Sequence, residues 1–347
     1  MIIKLKNSIT NKEYLDLCAK IEELGLTPKN VDSENHKVLN IIGDTSKIDE
    51  TAISSWPGVS NVTRIQVPYK LASLEAHPEP TVIDVCGVKI GGDNFTVMAG
   101  PCSVESEEQI ISVANDVKAS GAKILRGGAY KPRTSPYAFQ GLALEGLDLL
   151  KEARKVTGLP IITEIPSIDL IPRFVEEVDI IQVGARNMQN FELLKALGKI
   201  DKPILLKRGL CNTINEWLMA AEYILAGGNS KVILCERGIR TYETYTRNTL
   251  DLSAVLAVKE LSHLPVIVDP SHSTGRWSMV EAMSKAALAC GADGIIVEVH
   301  NNPECALCDG AQSLKPAKFD KMMGQLRIID KIVKKKVYEK MHLGRKF

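Results

Sequence analysis

The sequence predicts an α/β protein, a (β/α)8 TIM barrel preceded by a small ferredoxin-like α+β domain. From residue 95 onward, short β-rich runs alternate with amphipathic stretches. Eight such units in about 250 residues match the size of a (β/α)8 barrel. An open doubly wound sheet is the alternative, but the chain has no G-x-G-x-x-G segment after the first run and no P-loop. The predicted barrel strands are residues 95–99, 123–126, 160–164, 180–183, 203–207, 231–235, 265–269 and 294–299.

The first 68 residues follow a different pattern, in which β-rich runs surround two helical stretches. The predicted elements are strands at 2–6, 30–32, 37–43 and 59–67 and helices at 11–24 and 47–55. Their order, β-α-β-β-α-β, is that of a ferredoxin-like fold. A proline-containing linker and a short hairpin follow. We therefore predict a ferredoxin-like regulatory domain over 1–68, a linker and hairpin over 69–94, and a catalytic barrel over 95–347.

The composition argues against several classes of protein. The 347 residues include 43 Lys and Arg against 42 Asp and Glu, and a net charge of +1 disfavours nucleic-acid binding. No run approaches 18 uninterrupted apolar residues, and the first residues lack the apolar core of a signal peptide. Eight cysteines spread over this length do not suggest a disulfide framework. We expect a soluble, reduced, cytoplasmic protein that binds neither nucleic acid nor membrane.

Polar side chains follow the ends of all eight predicted barrel strands, where barrel enzymes place their active sites. Four of them, on loops of the neighbouring strands 1, 7 and 8, form a candidate metal site: Cys102, His272, Glu298 and Asp309. A thiolate, an imidazole and two carboxylates suit Mn²⁺, Fe²⁺, Zn²⁺ or Co²⁺ better than Mg²⁺ or Ca²⁺. The alternative is a buried cysteine, a loop histidine and solvated carboxylates. Cys305-x-x-Cys308 has the spacing of half a zinc site or a redox pair, but without a second such pair we disfavour structural zinc.

A second set of residues at the same strand ends is basic. Its members are Arg126, Lys131, Arg133, Arg186, Lys207, Arg208 and Arg237, with the hydroxyls of Thr134 and Ser135 beside Arg133. Such a density of positive charge needs counterions, and arginine binds phosphate and carboxylate with paired hydrogen bonds. The set therefore predicts two small anionic substrates, or one with several anionic groups. Individual members, Arg208 above all, could instead be solvated charges at the rim.

Several motifs resemble the 3-deoxy-D-arabino-heptulosonate 7-phosphate (DAHP) synthase family. They are Gly100-Pro101-Cys102-Ser103, the run from Arg126-Gly127-Gly128 to Lys131-Pro132-Arg133-Thr134-Ser135, Gly184-Ala185-Arg186-Asn187, Leu206-Lys207-Arg208-Gly209, Cys235-Glu236-Arg237-Gly238, Asp269-Pro270-Ser271-His272-Ser273, Val297-Glu298-Val299-His300 and Asp309-Gly310. The resemblance covers about residues 81–314. 3-Deoxy-D-manno-octulosonate 8-phosphate synthases are similar, but the Lys-Pro-Arg-Thr segment resembles the DAHP synthase site for a four-carbon aldehyde.

The resemblance implies a metal-dependent condensation of phosphoenolpyruvate with erythrose 4-phosphate, at the start of the shikimate pathway. It implies that Arg186, Lys207 and Arg237 hold the phosphoenolpyruvate phosphate, with Arg126 and Lys131 near its carboxylate. Arg133, Thr134 and Ser135 would take the aldehyde substrate. The catalytic candidates are Lys131 as general acid, Glu164 near the attacking water, and His272 with the metal.

The resemblance also implies regulation. A ferredoxin-like extension implies a domain that binds tyrosine or phenylalanine, and an oligomerisation domain without a ligand is the alternative. We expect a homo-oligomer, a tetramer. No motif in the sequence indicates a protein partner such as chorismate mutase. A catalytically silent barrel that serves as a sensor or scaffold is the functional alternative from another class, and the complete metal and anion sets argue against it.

Overall fold

The computed structural model describes residues 1–30, 37–43, 45, 48–63, 67–133 and 135–344, with the backbone alone for 334–344. These residues group into two compact units. One comprises Met1–Pro80 and Glu260–His263, and the other comprises Thr81–Lys259 and Leu264–Phe347. Residues 69–80 of the predicted linker thus group with the first unit, and the hairpin groups with the second. The assignment of a regulatory domain to 1–68, a linker and hairpin to 69–94 and a catalytic domain to 95–347 stays a prediction.

The first unit contains a four-stranded antiparallel sheet with strand order β2-β3-β1-β4. Its elements are β1 (Ile2–Leu5), α1 (Asn11–Glu23), β2 (Thr27–Asn30), β3 (Val38–Ile42), α2 (Glu50–Ser54) and β4 (Val59–Thr63). This confirms the β-α-β-β-α-β order. The first arm of the hairpin was predicted at 30–32, but the strand spans Thr27–Asn30 and residues 31–32 lie outside the described residues. Pro28 obscures the strand pattern, and an edge strand tolerates it because its N–H side can face away from the sheet.

One face of this sheet packs against the helices, because alternate residues of each strand point to that side. Ile3 and Leu39 point to the same side as Leu17 and Ile21 of α1, and all four are buried in one cluster. Helix α1 begins with a capping box, in which the hydroxyl of Thr10 accepts from the N–H of Glu13 and the Glu13 carboxylate accepts from the N–H of Thr10. Local sequence signals and burial therefore favour the same elements.

The second unit contains a closed barrel of eight parallel strands, which confirms the predicted barrel. Its strands are β7 (Thr96–Gly100), β8 (Ile124–Arg126), β9 (Ile161–Glu164), β10 (Ile180–Val183), β11 (Ile204–Lys207), β12 (Val232–Glu236), β13 (Val266–Val268) and β14 (Gly294–Glu298). The helices are α3 (Glu107–Ala119), α4 (Leu144–Thr157), α5 (Ile171–Glu177), α6 (Phe191–Leu197), α7 (Ile214–Ala226), α8 (Ser253–Leu261), α9 (Pro270–Thr274), α10 (Trp277–Ala289) and α11 (Pro316–Gly344). Strand β14 pairs with both β13 and β7, so the ends of the sheet meet there.

A hairpin of β5 (Ile83–Val85) and β6 (Val88–Ile90) precedes the barrel. Cys86 and Gly87 both have positive φ angles, 51° and 86°, as a two-residue type I′ turn requires. The apolar side chains of the hairpin pack into the same buried cluster as Met98 and Ile124 of the barrel strands. The hairpin therefore contributes to the apolar core of the barrel. Among the described residues, no helix combines the length and the apolar character needed to cross a membrane.

Candidate active site

The four predicted metal ligands lie together at the carboxyl end of the barrel. One ligand atom from each of Cys102, His272, Glu298 and Asp309 lies within 4.8 Å of the others. The His272 Nε2 atom is 3.3 Å from Glu298 Oε1 and 4.0 Å from Asp309 Oδ2, and Cys102 Sγ is 3.6 Å from the same Oδ2. Closure of the barrel between β14 and β7 brings these residues together although 207 positions separate the first from the last.

A short helix and its cap aim the imidazole at this cluster. Asp269 caps α9, because its Oδ1 accepts from the backbone N–H of His272 at 2.9 Å. The Asp269 Oδ2 atom lies 2.7 Å from His272 Nδ1, which assigns the ring proton to Nδ1 and leaves Nε2 facing the other three residues. Burial lowers the pKa of His272 even though the Asp269 charge opposes this. The lowered pKa favours the neutral ring, the form in which histidine binds a metal.

The carboxylates of the cluster are ionised because cations and donors surround them. Arg126 Nη1 donates to Glu298 Oε1 at 3.0 Å, and Gln312 Nε2 donates to Glu298 Oε2 at 2.7 Å. Burial raises the pKa of Glu298, but attraction by His272 in its protonated form and by Arg126 outweighs burial, so the net shift of this pKa is downward. Arg247 Nη1 lies 3.0 Å from Asp309 Oδ2, and this pair, against the effect of burial, holds the pKa of Asp309 well below its usual value.

Lys131 reaches the cluster from the loop after β8. Its Nζ is 3.0 Å from both the Sγ and the carbonyl oxygen of Cys102. Burial disfavours its charge, but attraction by Cys102, Cys308 and Glu298 is stronger and raises the pKa of Lys131. Gly128 permits this approach, since a Cβ there would lie 2.7 Å from the Cys102 carbonyl oxygen and 2.9 Å from Lys131 Cδ. The ammonium is therefore held charged beside the Cys102 sulfur.

A polar cavity of about 370 Å³ opens beside the cluster. It is lined by six basic side chains together with Ser135, Glu164, His272 and Asp309. The basic residues are Lys131, Arg133, Arg186, Arg237, Arg240 and Arg247. Among the described residues, no carboxylate lies within ion-pair distance of Arg186, Arg237 or Arg240. Arg237 is nonetheless buried, and burial lowers its pKa. A buried guanidinium without an ion pair calls for an anion from outside the chain.

Three predicted basic residues do not line this cavity, because each pairs with a buried carboxylate. Arg126 pairs with Glu298 at 3.0 Å and Lys207 Nζ with Asp269 at 2.6 Å. Arg208 Nη1 contacts both Glu236 and Asp251, at 2.9 and 3.0 Å. The interpretation of Arg208 as a solvated charge at the rim is wrong, because the residue is almost fully buried. The sequence shows the positive charge but not the distant carboxylate that neutralises it.

Of the remaining predicted site residues, three line the cavity and one lies outside the described residues. Glu164 lines the cavity and accepts from Gln182 Nε2 at 2.9 Å, and Arg133 and Ser135 line it as well. Thr134 lies outside the described residues. Sequence reasoning missed Arg240 and Arg247 of the cavity and Gln312, which donates to Glu298. Arg240 and Arg247 belong to the long segment between β12 and α8, and its position after a barrel strand is the signal that could have identified them.

Two family models together match most of the chain. Residues 73–335 match the family model described as "DAHP synthetase I family", and residues 1–67 match "DAHP synthase ferredoxin-like domain". The chain is 50% identical to a phospho-2-dehydro-3-deoxyheptonate aldolase of Thermotoga maritima over 94% of this chain and 97% of that protein. It is 33% identical to a 2-dehydro-3-deoxyphosphooctonate aldolase of Geobacter sulfurreducens, over 73% of this chain and 98% of the relative.

Two solved structures of Thermotoga maritima proteins resemble the chain. One, a phospho-2-dehydro-3-deoxyheptonate aldolase (DAHP synthase), is 48% identical with a TM-score of 0.77 and covers 96% of this chain and 98% of its own. The other, described as a truncated form of 3-deoxy-D-arabino-heptulosonate 7-phosphate synthase, is 50% identical with a TM-score of 0.72. It covers 77% of this chain and 98% of its own.

Proposed function

Since the chain belongs to the DAHP synthetase I family, we propose that it condenses phosphoenolpyruvate with erythrose 4-phosphate to give DAHP and phosphate. This is the first step of the shikimate pathway, and we assign the enzyme to the cytoplasm. The observation that carries the proposal is the cavity in which Arg186 and Arg237, neither paired with a described carboxylate, lie beside the cluster of four metal-ligand types. Two phosphorylated substrates would supply the negative charge that this cavity lacks.

Phosphoenolpyruvate is assigned to the inner part of the cavity. Arg186 and Arg237 would bind its phosphate with charge-assisted hydrogen bonds. Lys207 does not line the cavity, but the family resemblance assigns it to the same phosphate, and its ammonium keeps two N–H donors besides the one that contacts Asp269. Arg126 and Lys131 would lie near the carboxylate and the reacting carbons. Erythrose 4-phosphate would bind to Arg133, Thr134 and Ser135, of which Arg133 and Ser135 line the cavity.

The donor set fits a divalent cation of intermediate softness. Cys102, His272, Glu298 and Asp309 would hold Mn²⁺, Fe²⁺, Zn²⁺ or Co²⁺, with the neutral imidazole offering Nε2. Such an ion, when bound, supplies Lewis-acid polarisation of the aldehyde oxygen. Asp269 acts through His272, since it fixes the ring proton at Nδ1.

The proposed reaction forms a carbon–carbon bond and then releases phosphate. C3 of phosphoenolpyruvate attacks the aldehyde carbon, and Lys131 Nζ delivers a proton to the aldehyde oxygen. Water adds at C2, with Glu164 positioning it from the cavity wall, and the C2–O bond to phosphate then breaks. The fixed charges of Arg186 and Arg237 stabilise the departing phosphate. Preorganised charge of this kind is usually the largest catalytic contribution.

The choice of aldehyde separates this proposal from its closest alternative. 2-Dehydro-3-deoxyphosphooctonate aldolases share about a third of their residues with this chain, which makes synthesis of the eight-carbon sugar acid with arabinose 5-phosphate the second candidate. We expect phosphate release with erythrose 4-phosphate to exceed that with arabinose 5-phosphate at least ~100-fold in kcat/KM, because a site built for one polar acceptor discriminates strongly. A preference for arabinose 5-phosphate would establish the alternative, and no release with either would indicate a silent scaffold.

The ferredoxin-like domain supports a proposal of regulation. We assign it a tyrosine or phenylalanine effector that inhibits the barrel within a homo-oligomer, a tetramer. A chain lacking residues 1–68 is then expected to retain kcat and to lose inhibition by either amino acid, measured as phosphate release over a range of effector concentrations. Inhibition of the shortened chain at the same effector concentration would show that the effector acts on the barrel itself. An oligomerisation domain without a ligand predicts no inhibition of the full chain.

A further inference from the structure

The Cys305-x-x-Cys308 pair is not used in the proposed reaction, and its two members lie in different environments. Cys305 is exposed, whereas Cys308 is almost fully buried. Instead of facing Cys305, Cys308 Sγ lies 3.3 Å from the Sγ of Cys102 in the metal-ligand cluster. We propose that Cys102 and Cys308 form a reversible disulfide in the metal-free protein, so that oxidation blocks loading of the ion. The thiol pairing rests on geometry, and its link to the ion rests on the proposed metal site.

The surroundings of the two sulfurs favour this reaction. Lys131 Nζ is 3.0 Å from Cys102 Sγ, and Arg133 Nη1 is 2.6 Å from Cys308 Sγ. Cations beside cysteine sulfurs are typical of thiols that react with oxidants. Lys131, Arg133 and Asp309 contact these buried sulfurs and also line the cavity, so only the lining side chains separate the sulfurs from it. A disulfide needs the sulfurs at about 2.0 Å, so they must move closer by about 1.3 Å.

Hydrogen peroxide is the oxidant that balances the reaction. The Cys308 sulfur attacks one peroxide oxygen, the O–O bond breaks, and a sulfenic acid and one water form. The Cys102 sulfur then attacks the sulfenic sulfur, the S–O bond breaks, and the departing hydroxide takes a proton to become the second water. Two thiols thus lose two electrons and two protons, and the peroxide is reduced to two waters.

A bound ion and the disulfide exclude each other. A thiolate that coordinates the ion cannot also form the S–S bond, and a sulfur in the disulfide no longer offers the negative charge that a metal ligand needs. At an ion concentration about 100 times the Kd, mass action lowers the rate of disulfide formation about 100-fold. The redox state of Cys102 and Cys308 would therefore show whether the protein was oxidised before it bound the ion.

The test uses the full chain, loaded with Mn²⁺ or stripped by chelator, and treated with hydrogen peroxide. Free thiols are alkylated and the peptides mapped by mass spectrometry. We expect a Cys102–Cys308 cross-link in the stripped wild type and in the Cys305→Ser control, and none in Cys308→Ser. Reduction with dithiothreitol should restore Mn²⁺ binding. A Cys305–Cys308 cross-link, or irreversible oxidation of Cys102 without any cross-link, would overturn the proposal.

A Mn²⁺ titration of the untreated, reduced wild type separates this inference from the proposed metal site. If the cross-link forms but the reduced protein does not bind Mn²⁺, the metal site fails while the thiol pairing stands. If Mn²⁺ binds and equal cross-linking occurs with and without it, the exclusion of the disulfide by the ion is wrong. Circular dichroism of Cys308→Ser shows that the absence of a cross-link is not due to misfolding.

Discussion

Asp309→Asn is expected to bind Mn²⁺ at least ~100-fold more weakly than the wild type. Loss of a residue that only hydrogen-bonds to a metal ligand typically lowers metal affinity 10- to 100-fold, and Asp309 is itself a proposed ligand. The substitution keeps the size of the side chain and removes its negative charge. Arg247, which pairs with Asp309 Oδ2 at 3.0 Å, would then repel the cation without compensation. Condensation activity is expected to fall with metal occupancy. Calorimetric titration of the stripped variant measures the affinity directly.

Glu304→Gln is the matched control for this substitution. Glu304 lies in the same loop, and its exposed side chain pairs with Lys315 at 2.7 Å instead of with the cluster. The Glu304→Gln substitution also removes one negative charge, so an effect of net charge on Mn²⁺ binding would appear in both variants. We expect the control to bind Mn²⁺ as the wild type does. Equal affinity of Asp309→Asn and the wild type would remove Asp309 from the ligand set.

Lys131→Met is expected to lower kcat by about 10³-fold at saturating metal and substrates, within the range of general acid catalysis. Methionine preserves the apolar part of the side chain but has no proton to deliver. Lys131 is the basic residue whose Nζ lies beside the cluster at 3.0 Å from Cys102 Sγ, and its raised pKa keeps that proton in place. Steady-state phosphate release with erythrose 4-phosphate measures the effect.

The ratio of kcat to KM effects tests whether Lys131 acts in the chemical step. A residue that only binds substrate would raise KM and leave kcat near its wild-type value. Lys195→Met, on an exposed face of α6, is the control for general loss of a lysine and is expected to have wild-type kinetics. A Lys131→Met variant with unchanged kcat would exclude its assignment as the general acid.

The fold could be predicted because its local signals agree with burial. Each barrel strand is a short apolar run, and the structure shifts its predicted bounds by at most one residue at either end. Two elements were harder to predict. Pro28 concealed the start of β2, an edge strand in which proline costs little. Helix α9 spans only Pro270–Thr274, too short for an apolar period to appear, although Asp269 and Pro270 are typical of a helix start.

The site was partly predictable for a different reason. Residue type and position after a strand identified Cys102 and Asp309, which barrel closure brings together. What the sequence does not show is which charges neutralise one another inside the protein. Arg208 looked like an anion-binding residue but pairs with Glu236 and Asp251. Cys308 looked like the partner of Cys305, yet its sulfur lies near that of Cys102, 206 positions away in the chain.

The most direct test of the metal site is an optical titration of the stripped, reduced protein with Co²⁺, whose bond to a thiolate gives a charge-transfer absorption band. The four-ligand cluster predicts that this band saturates at one ion per chain. It should be absent in Cys102→Ser, and phosphate release should rise in parallel with it. Full phosphate release by the stripped protein, or a band that persists in Cys102→Ser, would contradict the central claim that these four side chains hold a catalytic cation.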